Sequence, residues 1–253
     1  MSLAIVRKAG IFFGHMVPPP SELKTQIAKR VAANAPFGVW TPADFLDLGD
    51  RDAVDKALQR LAHAGEIRRI ERGLYDKPGT SRLTGAVTPP DYRQVIDAIA
   101  RRDQARMLVD GMTAANDLGL TNAVPARVVV HTETHRRSLD LGNLTIEFKK
   151  TAASRLYWAG RPAMRVVQAL HWLKDVLHTD RDRVMTRLRA LLDEPPHGPA
   201  IRNDLRAGLA TLPAWMQAVV RELLDGRDDD HHPHQEDDHH DDDDRAADDG
   251  HAG

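Results

Sequence analysis

Seven side chains between Trp40 and Pro78 have the types and spacing to grip or read a nucleic acid. They are Arg51, Lys56, Gln59 and Arg60, followed by Arg68, Arg69 and Arg72. Arg and Gln can each bond a base edge bidentately, and Lys and Arg neutralise phosphates. The first four lie opposite an apolar set at helical spacing, Val54, Leu58 and Leu61, backed by Ala57 and Ala62. A recognition helix needs that division: one face buried on its own domain, the other offering long hydrogen-bonding side chains to the major groove. The three later arginines flank a turn containing Gly73, from which they would reach phosphates or an adjacent minor groove. An adaptor module that binds protein would show the same outline. Five aspartates, Asp44, Asp47, Asp50, Asp52 and Asp55, also offset much of the positive charge.

The elements that must hold these residues are legible. Thr41-Pro42-Ala43-Asp44 is a helix start, with Thr41 as cap, Pro42 at the first position and Asp44 three after the cap. Gly49-Asp50 stops that helix within two turns, and Asp50 caps a second one over Arg51–Ala64, ended by Gly65. Two short extended runs, Glu66–Ile70 and Leu74–Asp76, are joined by Glu71-Arg72-Gly73 as a hairpin. Upstream, Ser21 caps a helix to Ala33 with Leu23, Ile27, Ala28 and Val31 on one face, and Phe37 and Trp40 read as core. Helix, short helix, helix and basic hairpin is the order of a winged helix-turn-helix.

Other constellations offer enzymatic chemistry. Asp140 followed by Glu147-Phe148-Lys149 has the letters of a metal-dependent nuclease, in which carboxylates hold Mg²⁺ and Lys steadies the attacking water. Alternating charges on a solvent-facing strand give the same letters, and the seven-residue gap is short for that class. His131, Glu133 and His135 would share one side of an extended segment, either as metal ligands or as a polar strand face. Ser138 and Ser154 have no nucleophile context. No phosphate-cradling glycine loop appears, so no nucleotidyltransferase activity of its own is expected, and the remaining apolar stripes call for no cofactor or resident metal.

The chain divides by composition into a leader (1–20), the winged helix-turn-helix (21–78), a linker rich in Pro, Gly, Ser and Thr (79–90), a second domain (91–225) and a tail (226–253). In the second domain, helices are expected over 91–102 and 111–118. Strands are expected over Arg127–Thr132 and Leu144–Lys149, with a further one over Arg137–Leu141. Four helices follow: one from Pro162, then 180–192, 200–209 and one from Pro213. The expected fold class is α+β, with a winged helix-turn-helix, a mixed but mainly helical second domain and a disordered, acidic, His-rich tail. The tail histidines, His231, His232, His234, His239 and His240, could take up Ni²⁺ or Zn²⁺ only loosely.

Charge supports a nucleic-acid partner. The formal net charge of −2 conceals an asymmetry: residues 227–253 carry twelve acidic side chains and two arginines. Residues 1–226 therefore hold 33 basic against 25 acidic side chains, a charge of about +8. With no cysteine, a disulfide framework and a thiolate metal site are excluded, which fits a cytoplasmic protein. No apolar run approaches the ~20 residues needed to span a bilayer.

The run VDKALQRLAHAGEIRRIERGLYDKP, within residues 40–78, resembles the N-terminal winged helix of AbiEi-type antitoxins from abortive-infection, type IV toxin-antitoxin systems. The likeness continues through TAANDLGLTNAVPARVVVHTE at 113–133, LGNLTIEFKK at 141–150, QALHWLKD and LPAWM, covering about 21–224. It implies a winged domain that binds inverted repeats in its own promoter, as two copies on double-stranded DNA. It also implies a C-terminal domain that counters a nucleotidyltransferase toxin encoded alongside. By position, Arg51, Lys56, Gln59 and Arg60 on the helix and Arg68, Arg69 and Arg72 on the hairpin would carry DNA contact. Stand-alone regulators without a toxin share this outline.

Overall fold

The computed structural model describes residues 20–36, 38–123, 126–142 and 144–225. The acidic tail, the core assignment of Phe37 and the break at Pro125 lie outside these residues. Of the expected leader only Pro20 is described, and it opens the first helix instead of closing a leader. Among the described residues eight α-helices and seven strands form an α+β fold with two small sheets.

Helix α1 (Pro20–Ala33) buries Leu23, Ile27 and Val31. After strand β1 (Val39–Trp40), Pro42–Phe45 forms a single 3₁₀ turn. Across that turn the Asp44 carboxylate accepts from the Thr41 amide at 2.7 Å and from the Thr41 hydroxyl at 3.0 Å. Helix α2 (Arg51–His63) begins at Asp50, whose side chain accepts from the Ala53 amide at 2.8 Å. It buries Val54, Ala57, Leu58 and Leu61 in one cluster with Leu23, Ile27 and Phe45. Gly65 follows at φ +72°, a conformation that Cβ disfavours elsewhere. Strands β2 (Arg68–Glu71) and β3 (Leu74–Asp76) complete an antiparallel sheet in the order β1-β3-β2.

Residues 79–90 are not a bare linker. Thr80 and Val87 bridge antiparallel, the Ser81 amide donates to the Ala86 carbonyl at 2.8 Å, and the Thr88 amide donates to the Gly79 carbonyl at 2.9 Å. Local hydrogen bonding gives this Pro- and Gly-rich stretch a shape of its own, which composition does not reveal.

Helix α3 (Tyr92–Asp103) is capped by Asp91 and ends at Gln104 with φ 50°. It contacts both β1 and β3. The second sheet runs β4-β5-β7-β6, from strands β4 (Met107–Val109), β5 (Arg127–Thr132), β6 (Leu139–Asp140) and β7 (Thr145–Lys150). Strand β6 carries the chain back along the outer edge so that β7 can lie parallel to β5. Val128, Val130 and Ile146 on one face are fully buried. Strand β4 was not anticipated, since three apolar residues are too few to show a period.

Helix α4 (Gly111–Asp117) packs on α5 (Met164–Leu173). Gly111 faces the α5 backbone, and a Cβ there would lie 2.6 Å from the Gln168 carbonyl oxygen. Helices α6 (Leu177–Asp193) and α7 (His197–Gly208) follow, with α6 interrupted at Asp180, where the sequence placed a helix start. The chain divides into two compact units, one up to Gly208 and one from Leu209. In the second, a 3₁₀ turn at Leu209–Thr211 precedes α8 (Ala214–Asp225), which buries Met216, Val219, Val220 and Leu223 on one face. No helix among the described residues is long and apolar enough to cross a membrane.

Candidate nucleic-acid interface

Lys56, Gln59 and Arg60 are exposed on α2, opposite its buried face, and their side chains make no hydrogen bond or ion pair among the described residues. With His63 and, from β2, Arg69, they border one open surface that holds no carboxylate. This follows from helical spacing: with Val54, Leu58 and Leu61 buried, the side chains at 56, 59, 60 and 63 must point away.

The five aspartates that dilute the segment's charge are mostly committed elsewhere. Asp44 caps the 3₁₀ turn and lies 3.7 Å from Arg101. Asp47 takes a bidentate pair from Arg30, at 2.8 and 2.6 Å, and this guanidinium holds its carboxyl below the usual range. Asp50 is the α2 cap, and Asp55 accepts from Arg51 at 3.0 Å. Asp52 remains exposed in the first helical turn, where a negative charge favours the helix dipole. The cations on the outer face of α2 thus keep their charge available while most of the acids are neutralised locally.

The hairpin divides its three arginines. Arg69 is exposed, and its Nε donates weakly to the Glu71 carbonyl at 3.4 Å. Arg72 is exposed at the turn, next to Gly73 at φ +73°. Arg68 is placed differently from the sequence expectation. Its Nε donates to Asp76 at 2.9 Å, its Nη2 donates to the other carboxylate oxygen at 2.5 Å, and its Nη1 donates to the Thr88 carbonyl at 3.0 Å. Asp76 is only 1% exposed, so Arg68 is held as the counter-ion of a buried charge. Arg51 is tied to Asp55 on an exposed flank, where the pair is weak enough for a phosphate to compete.

The nuclease letters fall on one open face of the second sheet. Asp140 lies opposite Thr145, and Glu147 and Lys149 alternate onto the same side. Glu147 is paired with Arg127 at 3.0 Å, and Asp140 accepts from the Gly142 amide at 2.7 Å within its turn. Strand β5 ends at Thr132, so His131, Glu133 and His135 do not alternate along one strand as expected. His131 meets the Thr151 hydroxyl at 3.0 Å, while Glu133 pairs with Arg106 at 3.0 Å. Among the described residues no group of three or more His, Asp or Glu side chains is placed to hold a metal ion.

A further polar hub escaped the sequence reading. The Asp117 side chain, 2% exposed, accepts from Arg93 at 2.6 Å and from Arg165 at 2.9 Å, and the Tyr92 hydroxyl also donates to it. Burial first, then the Asp117 carboxylate, pushes the Tyr92 hydroxyl far above its ordinary pKa. The hub joins α3, the end of α4 and α5. Nothing in local sequence marks it, because its members lie up to 73 positions apart, from Tyr92 to Arg165.

Residues 12–194 match a protein family described as a family of unknown function, DUF6088. The chain belongs to that family. The match takes in α1 to α6 and both sheets, hence every candidate residue on α2 and the hairpin. The family's description assigns no activity to these residues. No curated protein matches the sequence.

Proposed function

We propose that residues 20–78 form a winged helix-turn-helix that binds double-stranded DNA, and that the chain is a cytoplasmic transcriptional regulator of its own promoter. The observation that carries this reading is the outer face of α2. Lys56, Gln59, Arg60 and His63 stand exposed beside Arg69 on a surface that holds no carboxylate, while Asp50 and Asp52 border Lys56 and Arg60 on the side of the helix start. Helix α2 follows a tight 3₁₀ turn and precedes a two-stranded hairpin, the order in which a recognition helix is presented and flanked by a wing. Lys56, Arg60, Arg69 and Arg72 supply phosphate-seeking charge, and Gln59 and Arg60 can bond base edges. Two copies on an inverted repeat would give the operator its symmetry.

On the resemblance to AbiEi-type antitoxins, residues from 91 onward would act against a nucleotidyltransferase toxin encoded beside this gene. That part of the proposal stands on sequence likeness. Co-expression with the neighbouring gene tests it: rescue of growth supports an antitoxin, and absence of any toxic neighbour leaves a stand-alone regulator.

DNA binding is tested by titrating a duplex spanning the protein's own upstream promoter, with a scrambled duplex as control, at several salt concentrations. Sequence-selective binding should weaken steeply with salt, each phosphate contact adding about 0.9 to the logarithmic slope. Equal, weak binding to both duplexes would make the segment an adaptor and end the regulator reading.

A further inference from the structure

The hairpin is held from outside the segment that bears it. Its last β2 residue, Glu71, accepts from Arg102 Nη1 at 2.9 Å, and a second time, through the same oxygen, from Arg136 Nη2. The same Arg102 nitrogen donates to the Arg72 carbonyl at 2.8 Å, so the turn is gripped through its backbone as well as its side chain. Both guanidiniums are braced in turn. Arg102 lies on Asp103 through bonds of 2.7 and 3.1 Å, and Arg136 reaches the same carboxylate at 2.8 Å. The Arg136 guanidinium also sits 5.0 Å from the centre of the Phe148 ring on β7, and its side chain is only 14% exposed. Arg102 closes α3, and Arg136 belongs to the segment between β5 and β6.

A one-residue register shift between Arg69 and Glu71 makes this grip compatible with an exposed Arg69. Arg69 pairs with Tyr75 while Glu71 pairs with Leu74, leaving Ile70 as the extra residue. Such a bulge re-aims the side chains on its two sides. Arg69 can therefore stay with the α2 face while Glu71 turns to Arg102 and Arg136.

We infer that Glu71 is a positioning residue for DNA binding: through Arg102 and Arg136, the part of the chain after residue 90 sets the pose of Arg69 and Arg72 against the duplex. The inference rests on the DNA-binding reading above. Its consequence runs against simple electrostatics. A carboxylate close to a DNA-facing surface repels phosphate, so deleting it should tighten binding if charge alone matters. If Glu71 works by holding the turn, deleting it weakens binding, because a loosened turn must be ordered when DNA arrives. The two effects have opposite signs.

The test measures affinity of the full-length chain for its own promoter duplex and for a scrambled duplex, in wild type, Glu71→Ala, Glu71→Gln and Arg136→Met. Positioning predicts that Glu71→Ala and Arg136→Met each lose roughly tenfold for the promoter duplex, the scale of one coupled contact. The salt slope should stay unchanged for Glu71→Ala, since no phosphate contact is removed. Glu71→Gln preserves side-chain size and decides the matter if the alanine variant does not fold: weaker binding supports positioning. Tighter or unchanged binding in the folded Glu71 variants overturns it. Should wild type itself fail to prefer the promoter duplex, the DNA-binding reading fails first, whereas a selective wild type with indifferent variants removes only the role of Glu71.

Discussion

Arg68 and Asp76 face each other across β2 and β3 as a bidentate ion pair, with the Asp76 side chain 1% exposed and that of Arg68 30% exposed. Three basic residues that look equivalent in the letters RRIER therefore have different work. Arg68 neutralises a buried carboxylate and pins the Thr88 carbonyl, while Arg69 and Arg72 point outward. Arg68→Ala would strand Asp76 in a buried site, at a cost of about 3 kcal/mol. Urea denaturation should show that loss, while the folded variant keeps the wild-type salt slope for DNA. Unchanged stability with a slope reduced by one charge would instead make Arg68 a DNA contact.

Arg60 and Arg69 should separate by the kind of contact they make. Arg60 lies on the helix that would enter the groove, and Arg60→Ala is expected to cost ~1–3 kcal/mol and to relax preference at one base position. Arg69→Ala should weaken all sequences alike and lower the salt slope by about one phosphate contact. Binding to a panel of single-base operator variants distinguishes the two. Identical behaviour of both variants across that panel would contradict the assignment.

Gly111 tests the packing of α4 on α5. Helix propensity alone favours Ala over Gly by about 1 kcal/mol. Here the added Cβ would meet the Gln168 carbonyl oxygen and the Trp172 Cβ, each at 2.6 Å, and backbone cannot yield as a flexible side chain does. The clash wins, and Gly111→Ala should lose about 1–3 kcal/mol. Urea denaturation followed by tryptophan fluorescence reports it, and a stabilised variant would show that the two helices can separate cheaply.

Acid should loosen the clasp around the hairpin. The Arg102 guanidinium, by hydrogen bond and charge, holds the Asp103 carboxyl below its ordinary range. Between the folded and unfolded pKa values the unfolded chain binds the extra proton, so stability rises with pH across that window. The contribution is complete above the usual Asp value of about 4 and is lost as pH falls through the lower folded value. Asp103→Asn should therefore flatten the acid limb of a stability-against-pH curve below about pH 4. An unchanged acid limb would mean that the pair contributes nothing to folding.

The sequence by itself determined most of the elements. Capping residues at Thr41 and Asp50, the glycines at 65 and 73, and the apolar period of α1 and α2 act over a few positions, so they are legible one stretch at a time. The exposure of Lys56, Gln59 and Arg60 was legible too, since it is the complement of a buried stripe. Local reading missed what depends on partners far away in the chain. It could not assign Arg68 to Asp76 and Thr88, or Arg30 to Asp47. Nor could it show Arg93 and Arg165 meeting at Asp117, or Arg102 and Arg136 meeting at Glu71. Charge is long-ranged and carries no period, so a run of arginines and aspartates fixes neither which ions pair nor which stay available. Only the tertiary structure decided that, by bringing Asp47, Asp76, Asp117 and Glu71 within reach of guanidiniums from distant positions while the surface shared by Gln59, Arg60, His63 and Arg69 holds no carboxylate.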